Sequence, residues 1–175
     1  MEILMNNEWN TPSWDELFMR EAYLIATKSK DPHTKIGCIL VKDNIPLMKG
    51  YNGIPRKVND SPERYVRPEK YNWCEHSERN AIYNCARMGI STNQSTLYCF
   101  ATPCHECCRG LLQSGIVEIV IHKQWDDIGI NKNNPKWIDS CKISEIMLFE
   151  AGIPTKVLDM KLGVKTMIDG KVYEV

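Results

Sequence analysis

The chain has 175 residues, 43% hydrophobic and 25% charged, with 22 basic and 22 acidic side chains that cancel to a formal charge of zero. That length predicts one domain over residues 1–175 with a substantial core, and the neutral balance removes any global field that would draw it to nucleic acid or an anionic membrane. No apolar run reaches the roughly 18 residues of a membrane span, and the acidic start M-E-I-L-M-N-N-E-W-N does not read as a signal peptide.

Thr11-Pro12-Ser13 marks a helix start with Ser13 as N-cap. Trp14, Leu17, Phe18, Ala22, Ile25 and Ala26 follow at helical spacing, and Pro32 ends the helix by disfavouring helical geometry before it. K-I-G-C-I-L-V (35–41) reads as a strand, K-D-N as a turn and I-P-L-M-K-G-Y-N (45–52) as the hairpin partner. Residues 53–72 carry Pro55, Pro62 and Pro68 without a period, and read as a long functional loop. Within it Arg56, Lys57, Arg64, Arg67 and Lys70 outnumber Asp60, Glu63 and Glu69, so it reads either as a cover for a phosphate or an effector triphosphate, or as a solvated mixed-charge loop.

Helical spacing returns from Glu75 to Met88. A buried strand is expected at 95–101, a helix from Pro103 to Ser114 ended by Gly115, a third core strand at 116–121, and a surface excursion at 131–135. A helix over 140–151, closed by Gly152, and a strand over 153–158 complete the series, with another short strand possible at the end. The alternation predicts an α/β fold, a three-layer α/β/α sandwich around a mixed central sheet of about five strands.

Eight cysteines, at 38, 74, 85, 99, 104, 107, 108 and 141, would suit a disulfide framework in a secreted chain. Without a secretion signal the expectation is a reducing, cytoplasmic setting and metal or catalytic use. Cys38, Cys85 and Cys99 sit inside apolar patterns and read as core; Cys74 and Cys141 are undecided. Cys104 and Cys107, at i and i+3 of a helix's first turn, point the same way near the positive end of its dipole, where thiolates are favoured and tetrahedral zinc is suited. Cys108 is an alternative to Cys107 at i+4, but the Pro-Cys-x-x-Cys pattern favours Cys107. His76, at the start of the other helix, supplies a third ligand and leaves the fourth position for water. Glu78 can then face that position unligated and move protons. Taken alone, Cys-x-x-Cys also fits a redox pair or two core thiols, and His-x-Glu also fits a helix-capping arrangement. Together, H-x-E…P-C-x-x-C is the signature of zinc deaminases.

The segments D-P-H-T-K-I-G-C-I-L-V, G-Y-N-G-I-P, E-H-S-E-R-N-A-I, T-P-C-H-E-C-C-R and S-G-I-V-E-I-V-I, spread over residues 14–125, resemble the cytidine/deoxycytidylate deaminase superfamily, and more narrowly its deoxycytidylate (dCMP) branch, to which G-Y-N-G-I-P tilts the reading. Ser77 departs from the Ala that the family more often has there. The resemblance implies hydrolytic, zinc-dependent conversion of dCMP to dUMP and ammonia, with Zn2+ on His76, Cys104 and Cys107 and with Glu78 as proton carrier. It further implies that the Ser77 backbone N–H holds the pyrimidine carbonyl and Asn52 the sugar hydroxyl, although Asn-Gly is also a common turn. Tyr71, just before the zinc histidine, is a candidate substrate contact. Family members commonly form hexamers and respond to dCTP and dTTP, which implies a homo-oligomer and an allosteric dNTP, with Mg2+ as its companion. Expected partners are therefore the small-molecule substrate dCMP and these effectors, with no nucleic acid and no membrane. Alternatives are a deaminase of another cytosine nucleotide or nucleoside, a deaminase of tRNA adenosine, and a non-catalytic zinc-binding interaction module, for which an unligated Glu78 would have no use. Trp125, with Asp126 and Asp127, follows a core strand where open α/β sheets place ligand contacts. Trp137 reads as packing, and His33, His105 and His122 have no assigned role.

Overall fold

The computed structural model of the chain describes residues 11–128 and 135–175, apart from the side chains of Asp126 and Lys136. The excursion expected at 131–135 therefore lies, up to its last residue, outside the described residues.

Helix α1 (Trp14–Ala26) starts where Ser13 Oγ accepts a hydrogen bond from the Glu16 backbone N–H at 3.2 Å. It buries Phe18, Met19, Ala22, Tyr23 and Ala26, which return every three or four residues to one face. Strands β1 (Gly37–Lys42) and β2 (Ile45–Tyr51) pair antiparallel. The turn between them places Asp43 and Asn44 at φ 51° and 59°, the two consecutive left-handed residues that match a tight hairpin to the strand twist. Strands β3 (Ser95–Cys99), β4 (Ile116–His122) and β5 (Thr155–Leu158) complete a sheet of order β2-β1-β3-β4-β5. The pairs β1–β2 and β1–β3 are antiparallel, and β3–β4 and β4–β5 parallel. The mixed five-stranded sheet is the one the element order predicts.

Alternation along β1 divides the core into two layers. Ile39 and Val41 face α1, together with Tyr98, Phe100 and Val120. Cys38 and Leu40 face the opposite layer, with Leu97, Cys99, Ile119 and Ile121. That layer is built by α3 (Ser77–Met88), α4 (His105–Gln113) and α6 (Pro135–Glu150), which contribute Ala81, Cys85, Cys108, Leu111 and Leu148. Helices thus cover both faces of the sheet, as right-handed crossovers require.

The structure corrects the expected elements in four places. Residues 53–72 are not free of structure: a 3-10 turn spans Pro62–Tyr65 and a one-turn helix, α2, spans Lys70–Trp73. A short helix, α5 (Lys123–Asp127), follows β4 directly. Helix α6 starts at Pro135, five residues before the expected Ser140, with the proline at its first position, where a missing N–H costs nothing. The C-terminal residues form a two-stranded ribbon, β6 (Lys165–Ile168) and β7 (Lys171–Glu174), rather than one short strand. Ile168 and Val175 pack into the α1 layer of the core. None of the eight cysteines forms a disulfide, and no helix among the described residues is long and apolar enough to cross a membrane.

Candidate metal centre

The two helices that carry the paired motifs begin next to each other. His76 is the N-cap of α3 and Cys104 the N-cap of α4, both with extended backbone (φ −77°, ψ 155° and φ −63°, ψ 160°). Cys107 lies in the first turn of α4. Two positive helix ends therefore converge on one spot.

The donor atoms of His76, Cys104 and Cys107 all lie within 4.8 Å of one another. His76 Nδ1 is 3.4 Å from each sulfur. A tetrahedral zinc with ordinary Zn–N and Zn–S bonds sets N and S about 3.6 Å apart, so the donor set fits that ion with little movement. No fourth His, Cys, Asp or Glu joins the cluster among the described residues. Hydrogen bonding from Cys107, followed by that from His76, pushes the Cys104 thiol down to about 4. The hydrogen bond with Cys104 and burial push the Cys107 thiol far up in turn. Burial opposes charge on His76, yet the bond to Cys104 and the nearby Glu78 raise its pKa above the ordinary value. Without a cation the three groups must share protons among themselves; a divalent ion replaces them.

A framework of side chains fixes the two helix ends. Glu75 pairs with Gly53 through two backbone hydrogen bonds of 2.8 and 3.0 Å, which closes residues 53–75 back onto β2. Glu75 Oε1 accepts from the His76 backbone N–H at 2.9 Å and from Arg79 Nε at 2.6 Å. Arg79 also reaches Glu106 at 2.9 Å and so straps α3 to α4 beside the ligands. The His76 ring stacks on Trp137 of α6 with centroids 5.8 Å apart. Ser140, one turn further on, accepts the His105 backbone N–H at 3.0 Å and shares a hydrogen bond with His105 Nδ1 at 2.7 Å. His105 is therefore a strut between helices. Cys108 is fully buried in the core, with its thiol 3.8 Å from the Ser144 carbonyl, away from the cluster.

Close packing at Gly50 seats α3. A Cβ there would overlap the Ser77 carbonyl oxygen and crowd the Ala81 backbone N–H and side chain. Gly50→Ala is expected to cost about 1–3 kcal/mol or more of stability, because a backbone clash has no rotamer to relieve it. It should also lower zinc content, since the displaced atoms adjoin His76. Urea unfolding with metal analysis checks both.

A cavity opens beside the cluster, lined by Asn52 just before the long loop and by Arg67, Lys70 and Tyr71 from its later end. Glu78 lines it, is 8% exposed, and accepts a hydrogen bond from Ser77 Oγ at 2.7 Å. Ser77 is the first residue of α3, where backbone N–H groups have no acceptor within the helix. Asn52 also lines the cavity, but its amide is engaged. Its Oδ1 accepts from the Ile36 N–H at 2.9 Å, and its Nδ2 donates to the Thr34 carbonyl at 2.9 Å and to Asp31 at 3.3 Å. Tyr71 lines the same cavity and is half exposed.

Several contributors were not legible in the sequence. Asp31 and Lys70, 39 residues apart, form a buried ion pair of 2.6 Å on the cavity wall. Trp137, read as packing, also lines the cavity, whereas Trp125, expected where open α/β sheets place ligand contacts, does line it and is 2% exposed at its apolar side. His122 is fully buried, bonded to Tyr23 Oη and the Met160 carbonyl at 2.8 Å each, and plays no part in the cluster. Of the loop cations, Arg56 bonds Asn84 at 2.6 Å, Arg64 stacks 4.0 Å over Trp73, and Arg67 alone joins Lys70 at the cavity.

Comparison with known proteins follows the same lines. The model of the cytidine and deoxycytidylate deaminase zinc-binding region matches residues 12–123. The chain is 33% identical over 125 residues to a deoxycytidylate deaminase of Saccharomyces cerevisiae, covering 65% of this chain and 39% of that protein. It is 32% identical over 133 residues to the Schizosaccharomyces pombe counterpart, covering 70% and 41%. It thus spans about two fifths of the length of these relatives. A dCMP deaminase crystal structure from the cyanophage S-TIM5 superposes with a TM-score of 0.60 at 24% identity, covering 85% of this chain and 99% of that one, and shares the fold.

Proposed function

Because the chain belongs to the family of cytidine and deoxycytidylate deaminases, we propose that it hydrolyses dCMP to dUMP and ammonia with zinc held by His76, Cys104 and Cys107. The observation that carries this reading is Glu78, a buried carboxylate that belongs to no ligand set yet lines the cavity beside a three-donor cluster. A purely structural site has no use for it. The relatives named deoxycytidylate deaminase, at about one third identity, favour the nucleotide over other substrates.

When bound, zinc supplies Lewis acidity that makes water acidic near neutral pH. Glu78 takes the proton from the attacking water and passes it to N3 of the pyrimidine as C4 is attacked. It then takes the remaining proton of the new C4 hydroxyl and carries it to the departing amino group, leaving the C4 carbonyl of dUMP and free ammonia. Ser77 Oγ, 2.7 Å from the carboxylate, aims it during both transfers. The Ser77 backbone N–H holds the base carbonyl. Both N–H bonds of Asn52 point into the scaffold, so a sugar hydroxyl donates to the remaining lone pair of its Oδ1. Tyr71 contacts the substrate at the open side, while Trp125 and Phe100 form apolar walls that keep stray water from the ring. The family resemblance extends the proposal to a cytoplasmic homo-oligomer, a hexamer, activated by dCTP with Mg2+ and inhibited by dTTP.

Ammonia release from dCMP, dCTP, CMP, deoxycytidine and a tRNA anticodon stem, with and without added dCTP and magnesium, tests the proposal. The expected result is preference for dCMP, loss of release after chelation and recovery on adding zinc. Preference for deoxycytidine would move the enzyme to nucleoside salvage.

A further inference from the structure

Arg67 and Lys70 both line the cavity that contains Glu78, and they differ in how their charge is neutralised. Lys70 is 2.6 Å from Asp31, with side chains 8% and 1% exposed. That charge is enclosed in the scaffold. Arg67 is 2.6 Å from Asp169, with side chains 43% and 51% exposed. An exposed pair of this kind contributes little to stability because solvent screens it, and this one runs through one guanidinium nitrogen to one carboxylate oxygen. Burial lowers the Arg67 pKa, but its Asp169 partner and the nearby Tyr71 more than compensate, so it stays charged.

Asp169 is held in place independently of Arg67. It lies at the turn of the C-terminal ribbon, with φ 46°. Its backbone N–H donates to Thr34 Oγ1 at 3.2 Å, and the Gly170 N–H donates to the His33 carbonyl at 2.8 Å. Thr34 itself lines the cavity. The turn therefore presents a carboxylate to the one cavity arginine whose charge a ligand can claim.

We propose that Arg67 is the recognition group for the phosphate monoester of the substrate, and that Asp169 is a resident competitor which the phosphate displaces. This rests on the nucleotide reading above, since it takes the substrate's phosphate as the ligand. A phosphate monoester carries nearly two charges and three acceptor oxygens near neutral pH, and the planar guanidinium fork can hold two of them at once. It outbids a single carboxylate held through one oxygen. Specificity for nucleotide over nucleoside is then set by Arg67 and tempered by Asp169.

Equilibrium binding of dUMP and of deoxyuridine to the zinc-loaded protein tests this. The wild type is expected to hold dUMP about 10- to 100-fold more tightly than deoxyuridine, the worth of hydrogen bonds to a charged group, and inorganic phosphate should compete. Arg67→Ala brings that ratio toward one, Arg67→Lys leaves it intermediate, and Asp169→Asn raises it several-fold. An unchanged ratio in a folded, zinc-loaded Arg67→Ala protein, or weaker dUMP binding in Asp169→Asn, overturns the assignment. The failure modes separate from those of the activity. A protein that shows the ratio yet deaminates no cytosine compound keeps the phosphate subsite and loses the deaminase reading. An active dCMP deaminase indifferent to Arg67→Ala keeps the activity and loses the subsite.

Discussion

Glu78→Gln, loaded with zinc, is expected to keep its metal and its fold and to lose about 10²–10⁴-fold in kcat, the usual contribution of a positioned acid–base group. The substitution preserves shape, and Ser77 Oγ can still donate to the amide oxygen, as it does to the carboxylate at 2.7 Å. What disappears is the ability to hold a proton between its two deliveries. Glu78 is 8% exposed and outside the donor cluster, so the metal should not register the change. One equivalent of zinc with near-normal ammonia release would remove Glu78 from this role. Loss of zinc would instead make it part of the metal's support.

Asp31→Ala carries the largest expected cost in stability. Its Oδ2 accepts from Lys70 at 2.6 Å and from Asn52 at 3.3 Å, and its Oδ1 accepts from the backbone N–H groups of His33 at 2.8 Å and Thr34 at 3.2 Å. Removing the carboxylate strands a buried ammonium, which typically costs about 3–5 kcal/mol. It also frees Asn52 to turn and disconnects α2 from the segment after α1. Adding Lys70→Met should recover part of the loss, because a buried pair replaced by apolar groups is often close to neutral. Recovery should be incomplete while two backbone donors lack their acceptor. Denaturant unfolding of the single and double variants measures both effects. A loss below about 1 kcal/mol for Asp31→Ala would mean that water reaches Lys70 and the pair is not structural.

The fold was readable where the local signals agreed. Ser13 as cap, the K-D-N turn and the apolar run of β1 each specify geometry within a few residues. The donor cluster was readable too, because i and i+3 on a first turn define a direction without knowledge of the rest. Some local signals were present but underused. Pro135 marks the first position of α6, and reading it as the end of a loop hid Trp137 on the helix that covers His76. Asp169-Gly170, both at positive φ, is a strong hairpin signal between short β-rich runs. Other features had no local signal at all. The pairs Asp31–Lys70 and Arg67–Asp169 span 39 and 102 residues, and only the folded chain brings them together. A five-residue helix such as α5 is too short to show a period.

The donor cluster also has a mechanical meaning. His76 lies 28 residues from Cys104 and 31 from Cys107, so an ion gripping all three closes the segment containing α3, β3 and the start of α4 into a chelate ring. Such a ring works like a removable crosslink: it limits the conformations open to the denatured chain and raises the barrier to separating the two helix ends. With zinc held as proposed, metal occupancy becomes a hidden variable in the melting curves of this protein, and two preparations of identical sequence are expected to differ in apparent robustness according to how fully the ring is closed.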